Sequence, residues 1–165
     1  MTKFKNEIAG SMRLCTNLND TLENISFVNS IYVDENNISN FSVLTMIKLY
    51  DFITNGKPEH NLKKYDIYGF LKEDKINNFN IIYLGVFSVN FNQSEDFESV
   101  FSNEHNHIYE FNGFKFPNTG KYVIELFVSD NNGIQQIQNV EEMYKNVCDQ
   151  CDLLDTKGFS VKQKG

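Results

Sequence analysis

Arginine is nearly missing from this chain. Arg13 is the single guanidinium among 15 Lys and Arg residues, set against 22 Asp and Glu, for a formal net charge of −7 and an isoelectric point near 4.9. Reading nucleic-acid phosphates and base edges relies on clustered Lys and bidentate Arg. Here the lysines come in pairs at most, as at Lys63-Lys64. No nucleic-acid partner is expected. Cysteine is scarce too: Cys15, Cys148 and Cys151 form an odd set without a disulfide framework, the usage of a reducing cytosol. No run of about 18 apolar residues exists to cross a bilayer as a helix. The opening MTKFKNEIAGSMRLC also has no apolar stretch of signal-peptide length. The expected location is cytoplasmic, with no membrane partner. Tryptophan is absent, proline occurs only at Pro58 and Pro117, and no linker, repeat or low-complexity tract interrupts the chain. One domain over 1–165 is expected, long enough to bury a core, with 1–10 as a disordered lead.

What the chain does have is aromatic and β-branched bulk. Fifteen Phe and eight Tyr bring the aromatic share to 14% within 41% hydrophobic residues, a composition that suits pleated, half-buried surfaces. Strand-like segments read at 25–33 (ISFVNSIYV), 41–52 (FSVLTMIKLYDF), 65–73 (YDIYGFLKE), 80–91 (NIIYLGVFSVNF), 108–116 (IYEFNGFKF) and 159–163 (FSVKQ). The clearest is GKYVIELFVSDNNG. It places Tyr122, Ile124, Leu126 and Val128 on one face, Val123, Glu125, Phe127 and Ser129 on the other, and ends in turn residues Asp130 to Gly133. Apolar residues on both faces of several segments imply packing between two layers or under a helix. The reading is mainly β, an antiparallel β-sandwich of about seven strands.

Two helices are expected. A short one, SEDFESVF, lies in a loop with Ser94 as N-cap and Phe97, Val100 and Phe101 together. The other follows Asn139, whose side chain can cap while Glu142 answers three residues on, and runs over 140–153 before the last strand. Val140, Tyr144, Val147, Cys148, Cys151 and Leu154 recur at steps of three and four, so both thiols should lie on the buried stripe as small hydrophobes. The N-terminal segment stays open. Phe4, Ile8, Met12, Cys15, Leu18 and Leu22 have helical spacing, whereas SMRLCTNL also reads as a strand.

Taken together, MRLC at 12–15, NDTLENISFVNSIYV, FSVLTMIKL, NGKPEHNLKKYDIYGFLKED and FKFPNTGKYVIELFVSD resemble a bacterial and phage family of small β-sandwich proteins. The likeness spans roughly 11–130, and the helix at 140–153 departs from it. It implies an immunoglobulin-like sandwich and a strand at 11–16, and carries no activity and no catalytic residue. Abundant Asn, Ile and Lys beside one Arg point the same way, to an AT-rich genome such as that of a low-GC bacterium or its phage.

Chemistry is thinly supplied. Cys148-x2-Cys151 with His105-x-His107 makes a zinc-type donor set, but zinc-binding CxxC pairs sit on tight knuckles, not inside amphipathic helices. A redox CxxC sits at a helix N-terminus, and Cys148 lies two turns in, next to Asp149. The acidic stretches 34–37 and 130–133 miss the calcium-loop spacing and read as turns. Nucleophile elbow, phosphate loop and dinucleotide fingerprint are all absent from the sequence. Glu73-Asp74 and Glu95-Asp96 read as solvated loop charges. The expectation is a non-enzymatic cytosolic interaction module with no cofactor, acting on a protein partner or as a homo-oligomer. Its contact residues would be Phe91, Phe97 and Phe101 in the long 90–107 connection. The alternatives are a phage-encoded inhibitor of a host factor and a metal-binding protein using His105, His107, Cys148 and Cys151. A small-molecule binder with a deep Phe/Tyr-lined pocket stays open.

Overall fold

The computed structural model describes residues 8–16, 26–50, 53–54, 57–58, 64–75, 80–90, 102–130 and 133–165. Within them lie β1 (Ile8–Thr16), β2 (Ser26–Phe27), β3 (Ser30–Val33), β4 (Ile38–Tyr50), β5 (Ile53–Thr54), β6 (Lys57–Pro58), β7 (Lys64–Glu73), β8 (Ile81–Asn90), β9 (Ser102–Lys115), β10 (Gly120–Asp130), α1 (Val140–Gln150) and β11 (Asp152–Gln163). A four-stranded sheet runs β2-β1-β4-β9, a five-stranded sheet runs β3-β11-β10-β7-β8, and β5 pairs with β6 alone. The nine strands of the two main sheets exceed the seven expected. All their pairings are antiparallel except β3 with β11.

Alternation builds the sandwich. Met12 and Leu14 of β1, Phe41, Val43, Ile47 and Leu49 of β4, Ile67 and Leu71 of β7, and Tyr122 to Val128 on the even positions of β10 meet in one buried cluster between the sheets. Phe41, Phe111, Phe114, Phe116, Tyr122 and Phe159 close one end of it, with Phe41 stacked on Phe111 at 4.4 Å between ring centroids. At that end Tyr122 Oη donates to the Asn118 carbonyl at 2.6 Å and accepts from the Asn118 N–H at 3.2 Å.

The odd positions of β10 explain α1. Phe127 joins Tyr68, Phe70, Ile134, Met143 and Val147 in a second buried cluster on the outer face of the five-stranded sheet. A strand that is apolar on both faces needs a cover on each, and α1 supplies the second. The Asn139 side chain caps the helix by accepting from the Glu142 N–H at 3.0 Å, as the sequence predicts. The helix stops at Gln150, three residues short of the expected end, because Cys151 turns extended and β11 begins at Asp152. Its buried centre is Met143 and Val147, an i, i+4 pair. Cys148 lies about 100° further round the helix than Val147 and is exposed, while Cys151 is half-buried. The predicted stripe is thus rotated, and only Cys151 packs against the cluster.

Other boundaries moved for tertiary reasons. The segment 25–33 is two strands, since β2 pairs with β1 in one sheet and β3 with β11 in the other. β9 starts at Ser102 rather than 108, and β11 at Asp152 rather than 159. The ambiguous N-terminal segment is a strand from Ile8 on, so residues 8–10 belong to β1 rather than to a disordered lead, and residues 1–7 lie outside the described part. Leu154 is bulged out of the β10 register, which turns it inward against Gly10. The Asp155 carboxylate beside it takes a hydrogen bond from the Met12 backbone at the open edge of β1.

Candidate interaction face

The two sheets differ in what covers their outer faces. The helix lies over the five-stranded sheet, whereas no described element lies over the four-stranded one. Its outward side chains fall in rows fixed by the register: Ala9, Lys48 and Glu104; then Ser11, Met46 and Asn106; then Arg13, Leu44 and Ile108. Leu44 and Met46 are half-buried and Ile108 is 39% exposed, so an apolar centre runs across β4 and β9. Phe27, half exposed, lies at the β2 margin with the Arg13 guanidinium 4.8 Å above its ring. Lys48 and Glu104, 3.8 Å apart, frame the opposite side. Between them Ala9, Ser11, Met46, Lys48, Glu104 and Asn106 line a groove of about 290 Å³. Small side chains on β1 open it, since Ala9 and Ser11 leave room that larger residues would fill. The Phe/Tyr-lined pocket of a small-molecule binder is not what this groove offers. An apolar centre inside a charged rim is the anatomy of a protein contact.

The helix side holds ionisable groups with a different task. Lys72 Nζ donates to Glu125 Oε1 at 2.9 Å and to Tyr144 Oη at 2.8 Å, and Tyr144 donates to the same Glu125 oxygen at 2.7 Å. Burial, then the Glu125 carboxylate it donates to, drives the Tyr144 pKa far above that of an ordinary tyrosine. Tyr144 therefore keeps its proton at neutral pH and serves as a latch between helix and sheet. Burial likewise pushes the Cys148 thiol up, its sulfur tucked beside Tyr144, and pushes Cys151 up to about 12. Both remain protonated thiols, which is the opposite of a redox pair.

His105 and His107 lie far from those thiols. Both point between the sheets from β9, and His107 stacks on Phe87 of β8 with centroids 4.0 Å apart. Burial lowers the His107 pKa, so the ring is neutral at pH 7. The four residues of the zinc alternative thus lie on opposite sides of the five-stranded sheet. No group of three or more His, Cys, Asp or Glu among the described residues is placed to hold a metal. The acidic stretch at 34–37 is a turn: Asp34 Oδ1 accepts from the N–H groups of Asn36 and Ile38, and Asn37 takes a φ of 61°.

Of the contact residues expected from sequence, Phe91, Phe97 and Phe101 lie outside the described residues, as does the short helix beginning at Ser94. The turn residues Asn131 and Asn132 do too. Glu73 corrects a sequence reading. It is a buried carboxylate at the end of β7, not a loop charge, and it accepts from Asn80 at 2.8 Å and from Asn118 at 3.3 Å, with Lys75 at 3.0 Å. No helix among the described residues is long and apolar enough to cross a membrane. The outer face of the four-stranded sheet was not anticipated, because its apolar centre assembles from Leu44, Met46 and Ile108, which only the register brings together. No protein-family model matches the chain, and neither a curated protein nor a solved structure is significantly similar to it.

Proposed function

We propose that the chain is a non-enzymatic protein-interaction module on an immunoglobulin-like sandwich, which offers the outer face of its four-stranded sheet to a protein partner. Three features of the connectivity support the immunoglobulin-like reading. β4, β7, β9, β10 and β11 follow one another between the sheets in the manner of strands B, C, E, F and G, with β8 beside β7 as an added C′. An early strand divides between the sheets as β2 and β3, and its second half runs parallel to the last strand. Tyr122, near the start of β10, reaches back to the Asn118 backbone in the manner of a tyrosine corner.

The single observation carrying the interaction reading is the row Arg13, Leu44 and Ile108, over which no described element lies, flanked by Met46 and by Phe27 under Arg13. Aromatic and Arg anchors dominate contact energies when a partner desolvates them. The groove beside Met46 would take one side chain of the partner, with Lys48 and Glu104 fixing its orientation. The test is quantitative affinity capture from host lysate with wild type, Ile108→Arg, Phe27→Ala and a control, Lys162→Ala, on the other sheet. A specific protein held by wild type and control, and weakened at least about tenfold by the first two substitutions at unchanged melting temperature, fits the reading. A partner retained by all four proteins removes it.

A further inference from the structure

We infer that Asn112-Gly113 is a self-modification site: Asn112 deamidates through a cyclic imide, and the Asn40 side chain on the neighbouring strand sets the rate. This is independent of the partner proposed above. The chain holds three Asn-Gly pairs, at 55–56, 112–113 and 132–133, and only the middle one lies wholly within the described residues. Asn before Gly is the dipeptide most prone to this chemistry. A residue without Cβ leaves its own nitrogen unhindered as it closes on the preceding side-chain amide.

The fold requires that glycine. β4 and β9 pair Phe41 with Phe111 and Ser39 with Phe114, so Asn112 and Gly113 together stand opposite Asn40. Two residues against one make a β-bulge, and Gly113 takes a left-handed φ of 63° to form it. Any other side chain but a short polar one would be strained there. Asn112 and Gly113 are both exposed, so water reaches the pair. The bulge thus builds a labile dipeptide into an otherwise regular ladder.

Asn40 restrains it. Its Oδ1 accepts from the Gly113 N–H at 2.6 Å. In the reaction, the Gly113 nitrogen gives up its proton to solvent base and bonds to Asn112 Cγ. The Cγ–Nδ2 bond breaks and ammonia leaves. Water then opens the imide at either carbonyl, giving aspartate or isoaspartate, with no oxidant or reductant involved. While Asn40 holds the N–H, that proton is withheld from base and the nitrogen is turned towards β4. One net hydrogen bond shifts such a balance by about two- to tenfold. Alternation along β9 puts Asn112 on the same side as Glu110 and Ile108, so the product is a new carboxylate on the outer face of the four-stranded sheet. Isoaspartate also inserts a carbon into the main chain, which interrupts the ladder.

Timed incubation of the full chain at mildly alkaline pH tests this, with peptide mapping by mass spectrometry to read Asn112 apart from the other two pairs. Asn112 should convert slowly in the folded wild type and several times faster in the urea-unfolded chain. Asn40→Ala should speed the folded protein about two- to tenfold and leave the unfolded rate unchanged, because the bond exists only in the fold. Asn40→Val, whose branched side chain suits a strand, should do the same. Asn40→Asp keeps an acceptor oxygen and should stay at or below the wild-type rate. Circular dichroism on each variant verifies the fold. Equal rates in folded wild type, Asn40→Ala and Asn40→Val would overturn the inference. So would an acceleration shared by Asn40→Asp, one that persists in urea, or no conversion at Asn112 in any folded protein.

Discussion

Replacing Tyr122 by Phe deletes one oxygen and leaves the ring in place. The ring is buried, 5.0 Å from Phe116 and stacked on Phe159 at 5.9 Å between centroids, so packing is retained. What goes is the bond given to the Asn118 carbonyl at 2.6 Å and the weaker one accepted from the Asn118 N–H at 3.2 Å. A net intramolecular hydrogen bond contributes about 0.5–1.5 kcal/mol, the short one belonging at the upper end. Asn118 itself is exposed, so water can replace the lost hydroxyl and no full desolvation penalty is added. The expected loss is about 1–2 kcal/mol. For a chain of this length each kcal/mol moves the melting temperature by about 2–4 °C, hence a fall of about 2–8 °C. Urea titration should shift the midpoint at constant slope, since the surface exposed on unfolding is unchanged. Asn118→Ala acts through a different bond: it removes the side-chain contact with Glu73 but keeps both backbone bonds to Tyr122, so its loss should add to that of Tyr122→Phe. A Tyr122→Phe loss under about 0.5 kcal/mol would refute the view that this hydroxyl pins the turn into β10.

Burial alone would raise the Glu73 pKa, but hydrogen bonds from Asn80, Lys75 and Asn118 outweigh it and hold the carboxyl below the ordinary value near 4.5. The unfolded chain then binds the proton more readily, so the stability this group provides is present above about pH 4.5 and is lost as pH falls through the folded pKa. Thermal melts from pH 7 to pH 3 should show that fall, and Glu73→Gln should flatten it; an unchanged profile would refute the assignment. At Gly69 an added methyl would sit 2.7 Å from the Tyr109 hydroxyl and 3.3 Å from Leu84 Cβ. That Tyr109 hydroxyl is buried without a hydrogen-bond partner. Gly69→Ala should cost about 1–3 kcal/mol and Tyr109→Phe little, with the double variant recovering at least half the loss in a denaturant cycle; strict additivity would show that the two do not touch.

Local pattern carried the interior well. β4, β7, β8 and β10 lie within a few residues of where alternation and turn residues put them, and the two faces of β10 were separated correctly. The Asn139 cap was legible because capping is a matter of neighbouring residues. What failed depended on partners distant in sequence. Nothing local marks the break at Val28–Asn29, where the chain leaves β1 for β11. The early half of β9, SNEHNH, looks like loop because it is polar, yet the six residues Thr45 to Tyr50 of β4 supply it with a ladder. Glu73 reads as a solvated charge until Asn80 and Asn118 arrive from other segments. Cys148 changed sides because Met143, rather than the cysteine, faces Phe70 and Phe127. The interaction face is the extreme case: Arg13, Leu44 and Ile108 become a row only when two ladders are in register.

The position of α1 decides which of the two outer faces carries a described cover. β7 and β10 place Tyr68, Phe70 and Phe127 on the outer side of their sheet, and those rings could not stay in water without exposing a large apolar patch. The chain between β10 and β11 answers by sending Ile134, Met143 and Val147 over them, and Lys72, Glu125 and Tyr144 lock the cover down. The four-stranded sheet makes the opposite choice. Among the described residues its outer side chains are polar or small except Phe27 at the β2 margin and the strip Leu44, Met46 and Ile108, a strip too narrow to demand a permanent helix and too contiguous to be scattered surface apolarity. A strip of that kind is stable in water and still gains from being covered, which is the energetic condition for reversible association. Moving Ile108 to Arg should therefore leave folding intact, while moving Phe127 to Arg should not. That contrast would separate the face proposed for a partner from the face that α1 covers.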